Sequence, residues 1–291
     1  MKHAYLIIAH NEFEVLERLI CALDDARNDI FIHFDRKLKE LPVVKTQNAG
    51  LFVLTERIDV RWGDVSVVEA EYALFETACQ RHSYNYYHLL SGVDMPLKSQ
   101  DHIHQFFHEH QGKEFVGYSY GNISEQMRLK IQLYHLFPKH FRETKGWKAF
   151  GRKFLRATFL RLQLALGIKR NRGITFKKGT QWISITHDLA IYLLKQKKHV
   201  LHMYHHTFCS DEVFVQTICW NSHFRERVYD LHNDGRGCMR AIKWIDSQLW
   251  EWEEKDYELL MQAEALFARK FSNKHIEVVN KILNTVLMYE K

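Results

Sequence analysis

The stretch Ser210-Asp211-Glu212-Val213-Phe214-Val215-Gln216-Thr217-Ile218 sets two acids directly behind a residue that favours helix N-caps. A serine cap and an acidic first turn stabilise a helix start with no further role. The same partial positive charge also keeps a carboxylate ionised, which a general base needs before it can accept a proton. Taken alone, the stretch supports both readings, and Glu212 is the candidate base. Two other stretches join turn residues to aromatic and acidic side chains: Val60-Arg61-Trp62-Gly63-Asp64-Val65-Ser66, and residues 87–97, YHLLSGVDMPL. Each reads equally as a plain strand-to-helix connection or as a place where a sugar or phosphate is held. His102, His104, His108 and His110 fall on one predicted helix, with His104 and His108 at the spacing of a metal pair; His202, His205 and His206 form a second cluster. Neither cluster has a third ligand in a recognisable pattern, so both read as packing or solvated histidines and no metal site is expected.

Side chains act together only if a fold gathers them, and the apolar periodicity says which fold. Residues 5–9, 29–34, 50–54 and 86–90 read as strands. Residues 11–27 and 65–80 read as helices, the first capped by Asn11. This alternation predicts an α/β fold, a Rossmann-like, mostly parallel central sheet flanked by helices. Ligands of such sheets sit outside the carboxyl ends of the strands. That rule selects His10, Asp35, the Trp62-Gly63 turn and Ser91-Gly92-Val93-Asp94. Farther along, 101–111 and 146–167 read as helices and 181–185 as a strand. Thr186 caps a helix through 196, and Ser210 caps another to 221. A strand near 239–244 and helices near 253–268 and 273–289 complete the chain. With no repeat and no linker, 1–291 reads as a single domain.

Hydrophobic residues make up 46% of the chain, enough for a large core. No apolar run approaches the roughly 18 residues that span a bilayer, and the opening residues are too few for a signal-peptide core with its cleavage site. The five cysteines are odd in number and lack CxxC spacing, as expected of reduced cytoplasmic thiols. Charge is uneven. Residues 139–178 hold thirteen Lys/Arg and one acid, a net +12, so the rest of a chain of net +6 must carry −6. Within 145–172, Trp147, Phe150, Phe154, Leu155, Phe159, Leu162 and Leu166 share a broad apolar side with basic residues around it. Two readings stay open: a helix packed on the domain with a solvated basic face, or an element lying on an anionic membrane. The second would hold the protein peripherally on the inner face of the membrane. Nothing matches a nucleic-acid-binding motif, and no nucleic-acid partner is expected.

Eight stretches in register carry a family resemblance: HAYLIIAH (3–10), IHFDRK (32–37), VRWGDVSVVEAE (60–71), YHLLSGVDMPL (87–97), KGTQWISI (178–185), SDEVFVQTI (210–218), RAIKW (240–244) and LFARKF (266–271). In these and their order the chain resembles the core-2/I-branching β-1,6-N-acetylglucosaminyltransferase family, glycosyltransferase family 14, which includes the peptide xylosyltransferases. Little resemblance is visible over 98–177.

The resemblance implies a GT-A-like fold, a UDP-sugar donor, inversion at the anomeric carbon, and neither a divalent metal nor another cofactor. It puts the base on Glu212, a diphosphate contact on Lys270, an acceptor contact on Trp244, and donor-side positions on Asp35, Ser91 and Asp94. His10 and Trp62 join the donor side from the strand-end rule. Some members use a further arginine for the diphosphate; none lies within 241–268, so Arg240 or Arg269 must stand in, and Arg240 is taken. Trp182 and Gln181 are added as acceptor contacts, with Arg128 from the divergent region. The chemistry agrees: 91–94 holds one aspartate where a metal motif needs two, and cationic side chains can neutralise a leaving diphosphate. Such a leaving group needs no acid, unlike glycoside hydrolysis. The expected activity is transfer of a sugar, N-acetylglucosamine first, to a hydroxyl of a glycan, lipid-linked among the options, in cell-surface polysaccharide or lipopolysaccharide synthesis. Xylose or another UDP-hexose is the alternative donor. A non-catalytic glycan- or anionic-membrane-binding protein is the alternative class.

Overall fold

The computed structural model describes residues 1–120, 124–246 and 248–288. In chain order its strands are β1 (His3–Ala9), β2 (Asn28–Phe34), β3 (Gly50–Val53), β4 (Tyr86–Ser91), β5 (Asp94–Pro96), β6 (Ser184–Thr186), β7 (Arg240–Ile242), β8 (Trp244–Ile245), β9 (Gln248–Leu249) and β10 (Phe267–Arg269). The helices are α1 (Phe13–Ala22), α2 (Ser66–Arg81), α3 (Gln100–Glu109), α4 (Ser124–Lys130), α5 (Trp147–Ala165), α6 (His187–Tyr204), α7 (Phe214–Trp220), α8 (Asp234–Cys238), α9 (Tyr257–Gln262) and α10 (Ile276–Met288).

All seven residues of β1 are buried, as a central parallel strand covered on both faces requires. The main sheet runs β3-β2-β1-β4-β6; only β6 is antiparallel to its neighbour. Alternate residues of β1 enter different cores. Leu6 and Ile8 pack with α2 and α6, whereas Tyr5 and Ile7 pack with α1, α3 and α10. A second sheet, β5-β10-β7, lies beyond the carboxyl end of β4, because β5 follows β4 after a two-residue turn. The α/β expectation of a mostly parallel sheet flanked by helices therefore holds.

Three departures have physical causes. The first helix starts at Phe13 and not at Asn11, because Glu12 adopts left-handed backbone and its carboxylate accepts from Asn273 N at 2.6 Å. The helix expected over 253–268 stops at Gln262. Residues 267–269 form β10 between β5 and β7, where strand pairing outweighs the helical propensity of the preceding Glu-Ala-Leu. Ser210 caps nothing: its hydroxyl is buried without a partner, Ser210–Glu212 is a 3₁₀ turn, and α7 begins only at Phe214.

Buried imidazoles tie these elements together. His88 Nε2 lies 3.1 Å from His3 Nδ1, and His3 stacks on His104 at 4.0 Å between ring centres. His88 Nδ1 meets Ser184 Oγ at 2.8 Å, and His104 Nε2 meets Asn28 Oδ1 at 2.9 Å. His104 is thus a packing residue, while His108 is exposed. Burial holds His3 and His88 well below the ordinary imidazole range and His104 at about 4. Groups whose folded pKa is depressed in this way hold the fold above their unfolded value and lose that contribution as pH falls. The melting temperature should drop steeply from pH 6.5 towards about 4, and a scan with no slope across that window would remove the neutral assignment.

Candidate functional site

The carboxyl ends of β1, β2 and β4 lie side by side. Asp35 N donates to Ala9 O at 3.0 Å and Gly92 N to Ile8 O at 2.9 Å, which brings His10, Asp35 and Ser91 onto one edge. Asp35 is buried and paired with Lys37 at 2.7 Å; Lys37 also reaches Asp59 at 3.1 Å. His10 is exposed at this edge.

Glu212 is held from two sides. Its carboxylate lies 3.2 Å from Lys178 Nζ, and its carbonyl accepts from Gly179 N at 3.0 Å. Gly179 permits this approach because any Cβ there would stand 1.9 Å from Gly117 O. On the other side, Cys209, in left-handed backbone, donates to Gly63 O at 2.9 Å. Gly63 itself has φ +77°, and a side chain there would strike the Phe208 ring. The ring of Trp62 stands edge-on to Phe208 at 5.3 Å, so Trp62 belongs to the support of the Glu212 turn.

Behind Glu212 sit two more acids. Asp211 Oδ1 and Glu71 Oε2 are enclosed without hydrogen-bond partners, and Gln181 Nε2 donates to the other oxygen of Glu71 at 2.6 Å. Burial, reinforced by Glu212, raises the Asp211 carboxyl to about 7. Burial and then Asp211 push Glu71 well above the ordinary range. Both carboxyls are thus shifted towards the protonated form, and Glu212 is the acid of the three whose carboxylate has Lys178 beside it. The helix-terminus argument for Glu212 is therefore replaced by this lysine.

The cationic half lies around the second sheet. Asp94 is buried; its two oxygens accept from Ser91 N at 3.0 Å and Ser91 Oγ at 2.6 Å, and Arg269 Nε stands 3.8 Å away. Arg240 is only 3% exposed and donates to Cys238 O at 2.5 Å, Ile183 O at 2.9 Å and Ser184 Oγ at 3.0 Å. Burial lowers its guanidinium to about 10. Arg269 stacks on the Trp182 ring at 4.0 Å, with Nε and Nη1 lacking hydrogen bonds. Lys270 is half-buried and paired with Glu251 at 3.0 Å.

Several of the expected ligands are engaged within the protein. Arg240 is committed to two backbone carbonyls and the Ser184 hydroxyl. Asp94 faces inward against arginine. Trp182 is 9% exposed and its face is taken by Arg269, so a sugar ring cannot stack there. Gln181 serves Glu71. Trp244 is exposed on the separate β8–β9 hairpin, and Arg128 is exposed on α4, two residues before Lys130, whose carbonyl accepts from Phe208 N at 3.0 Å. Glu71, Asp211, Lys178 and Arg269 were all present in the quoted stretches but gave no periodic signal of their own. A hollow of about 690 Å³ opens at the amino ends of the strands beside Lys2, Asp29 and Arg81 and contains none of these residues.

Comparison with known proteins adds to this geometry. The Core-2/I-branching enzyme family matches residues 3–275. Xylosyltransferase oxt of Drosophila pseudoobscura pseudoobscura is 23% identical over 283 residues, which is 88% of this chain and 30% of that protein, so the chain spans under a third of that relative. Mouse xyloside xylosyltransferase 1, in its apo form, is 10% identical over 91% of this chain and 97% of its own, with a TM-score of 0.36.

The enclosed Asp211 gives a direct test. A carboxyl raised in the fold to about 7 stabilises least where it must ionise, so its penalty grows as pH climbs from the unfolded value of 3.8 through 7. Asp211→Asn should melt higher than wild type at pH 8, with the gap closing as pH falls towards 4. A variant that melts lower than wild type at pH 8 contradicts the assignment.

Proposed function

This chain belongs to the Core-2/I-branching enzyme family and is a glycosyltransferase, and on that premise we propose that it moves a sugar from a UDP-sugar to a glycan hydroxyl with inversion. The observation that carries the reading is the segment Lys178-Gly179-Thr180-Gln181-Trp182. Its first two residues hold Glu212, its fourth holds Glu71, and its last stacks on Arg269. Four peptide steps span at most about 14 Å between Cα atoms, so one short segment ties the proposed base to a cation.

In this scheme Glu212 takes the proton of the acceptor hydroxyl as its oxygen attacks the anomeric carbon from the side opposite the diphosphate. Lys178 must yield its contact as the acceptor arrives. UDP leaves with its bonding electron pair. Lys270, released from Glu251, meets the growing charge, and the field of Arg269 and Arg240, only half offset by Asp94, supports it from beneath. Arg269 therefore replaces Arg240 as the residue nearest to a second diphosphate cation. Metal independence is part of the proposal: the aspartate of the 91–94 stretch is engaged by Ser91 and Arg269, which favours cationic side chains in the role of a metal. N-acetylglucosamine is the proposed donor sugar. Xylose is the second reading, favoured by the name of the xylosyltransferase relative.

Glu212→Gln should lower kcat by about 10²–10⁴ while donor affinity is retained, the usual range for loss of a catalytic base. Equal rates of UDP-sugar turnover in wild type and variant would point to a sugar-binding protein. A UDP-sugar should also raise the melting temperature with EDTA present. Stabilisation that needs Mn²⁺ would end the metal-free scheme, and stabilisation by a GDP- or CMP-sugar would end the donor class.

A further inference from the structure

Helix α5 is built inside out. Its inner side is Ala149, Arg152, Arg156 and Gln163: Gln163 exchanges hydrogen bonds with the backbone of Tyr134 at 2.8 Å in both directions, and Arg156 lies over the Phe141 ring at 4.4 Å. Its outer side is apolar. Trp147 is 81% exposed, Phe150 74%, Phe154 63%, Leu155 50%, Leu162 54% and Leu166 67%. At 100° per residue these six fall within about 160° of arc, over a helix about 28 Å long. Arg161 is the one cation within that arc; Lys148 and Lys153 stand at its margins, and Lys145, Lys169 and Arg172 lie beyond the ends. A helix packed by its apolar side with a solvated basic face is therefore not what the chain forms.

We propose that this face lies on an anionic bilayer, with Trp147, Phe150 and Phe154 entering the boundary between headgroups and acyl chains. Interfacial helices have this distribution of Trp, Phe and Leu on one side and cations at the edges. The net +12 of residues 139–178 complements anionic lipid, whereas two copies meeting through this face would oppose +12 with +12. No helix among the described residues is long and apolar enough to cross a membrane.

The helix is also wired to the Glu212 turn. Phe141, at its foot, packs on Phe208 at 4.5 Å, and Arg142 covers the Trp62 ring at 4.6 Å. Docking would hold the acceptor side of the cleft near the headgroups, where a glycan hydroxyl borne on a membrane lipid would present itself. This last step rests on the proposed transfer reaction; the docking does not.

The test is co-sedimentation with vesicles of phosphatidylcholine, with and without phosphatidylglycerol, beside turnover of a UDP-sugar with a soluble sugar acceptor. The wild type should bind the anionic vesicles at least about tenfold more tightly than the neutral ones, and salt should weaken it. The variant Trp147→Ser/Phe150→Ser/Phe154→Ser should lose binding while its melting temperature and soluble turnover stay unchanged, since all three side chains are exposed. Binding indifferent to phosphatidylglycerol, no binding by the wild type, equal binding by the variant, or an apolar face found instead to join two copies or an acidic protein would overturn the proposal. If soluble turnover were absent while vesicle binding behaved as stated, only the transfer reaction would fall.

Discussion

Two buried guanidinium groups share one buried carboxylate, and much of the molecule is arranged around that imbalance. Arg240 and Arg269 flank Asp94, which is itself held by Ser91 at the end of β4. Buried charges cost several kcal/mol each unless hydrogen bonds and opposite charges offset the loss of water. Arg240 meets the cost with three donated bonds, one of them to Ser184, which also meets His88. A polar spine thus runs from β7 through β6 and β4 to β1 and α3, joining the small sheet to the large one. Its excess of one positive charge lies beneath the carboxyl ends of the strands, where an anionic donor is best received.

The negative half of the site shows the complementary arrangement. Three acids, Glu71, Asp211 and Glu212, converge, but Glu71 is buried, Asp211 has one oxygen enclosed, and both carry raised pKa values. Like charges so close cannot all ionise, and burial decides which ones give way. Glu212 is the member with a lysine beside it. The extended segment that begins at Lys178 keeps this half at a set distance from the arginines. Gly179 and Gly63 let backbone approach backbone where side chains would obstruct the turn.

The basic insert follows a different rule from the rest of the fold. Elsewhere apolar faces turn inward and the β1 run is covered on both sides. In α5 a glutamine and two arginines face the body of the protein: Gln163 and Arg156 donate to backbone carbonyls, Arg156 also lies over an aromatic ring, and Arg152 pairs with Glu143. An amphipathic pattern identifies two faces without saying which one is turned inward.

How much was legible in the sequence follows from the range of the forces involved. Strand β1, the alternation through β4, Thr186 as a cap and the position of Glu212 are local matters of period, propensity and motif, and the chain displays them directly. The family resemblance also lies in the linear order of short stretches. Residues 267–269 became a strand because β5 and β7 offered backbone partners from distant parts of the chain. Arg240 and Trp182 are engaged inside the protein because Arg240, on the small sheet, reaches Ile183 O and Ser184 Oγ beside the large one, and Arg269 covers the Trp182 ring. Glu71 and Asp211, 140 positions apart, matter only as a pair in a shared low-dielectric pocket. Sequence by itself determined the α/β class and the residue types available for transfer chemistry. Tertiary structure decided which charges are buried, which are paired and which way α5 faces, because burial and Coulomb interaction depend on distances that chain order does not encode.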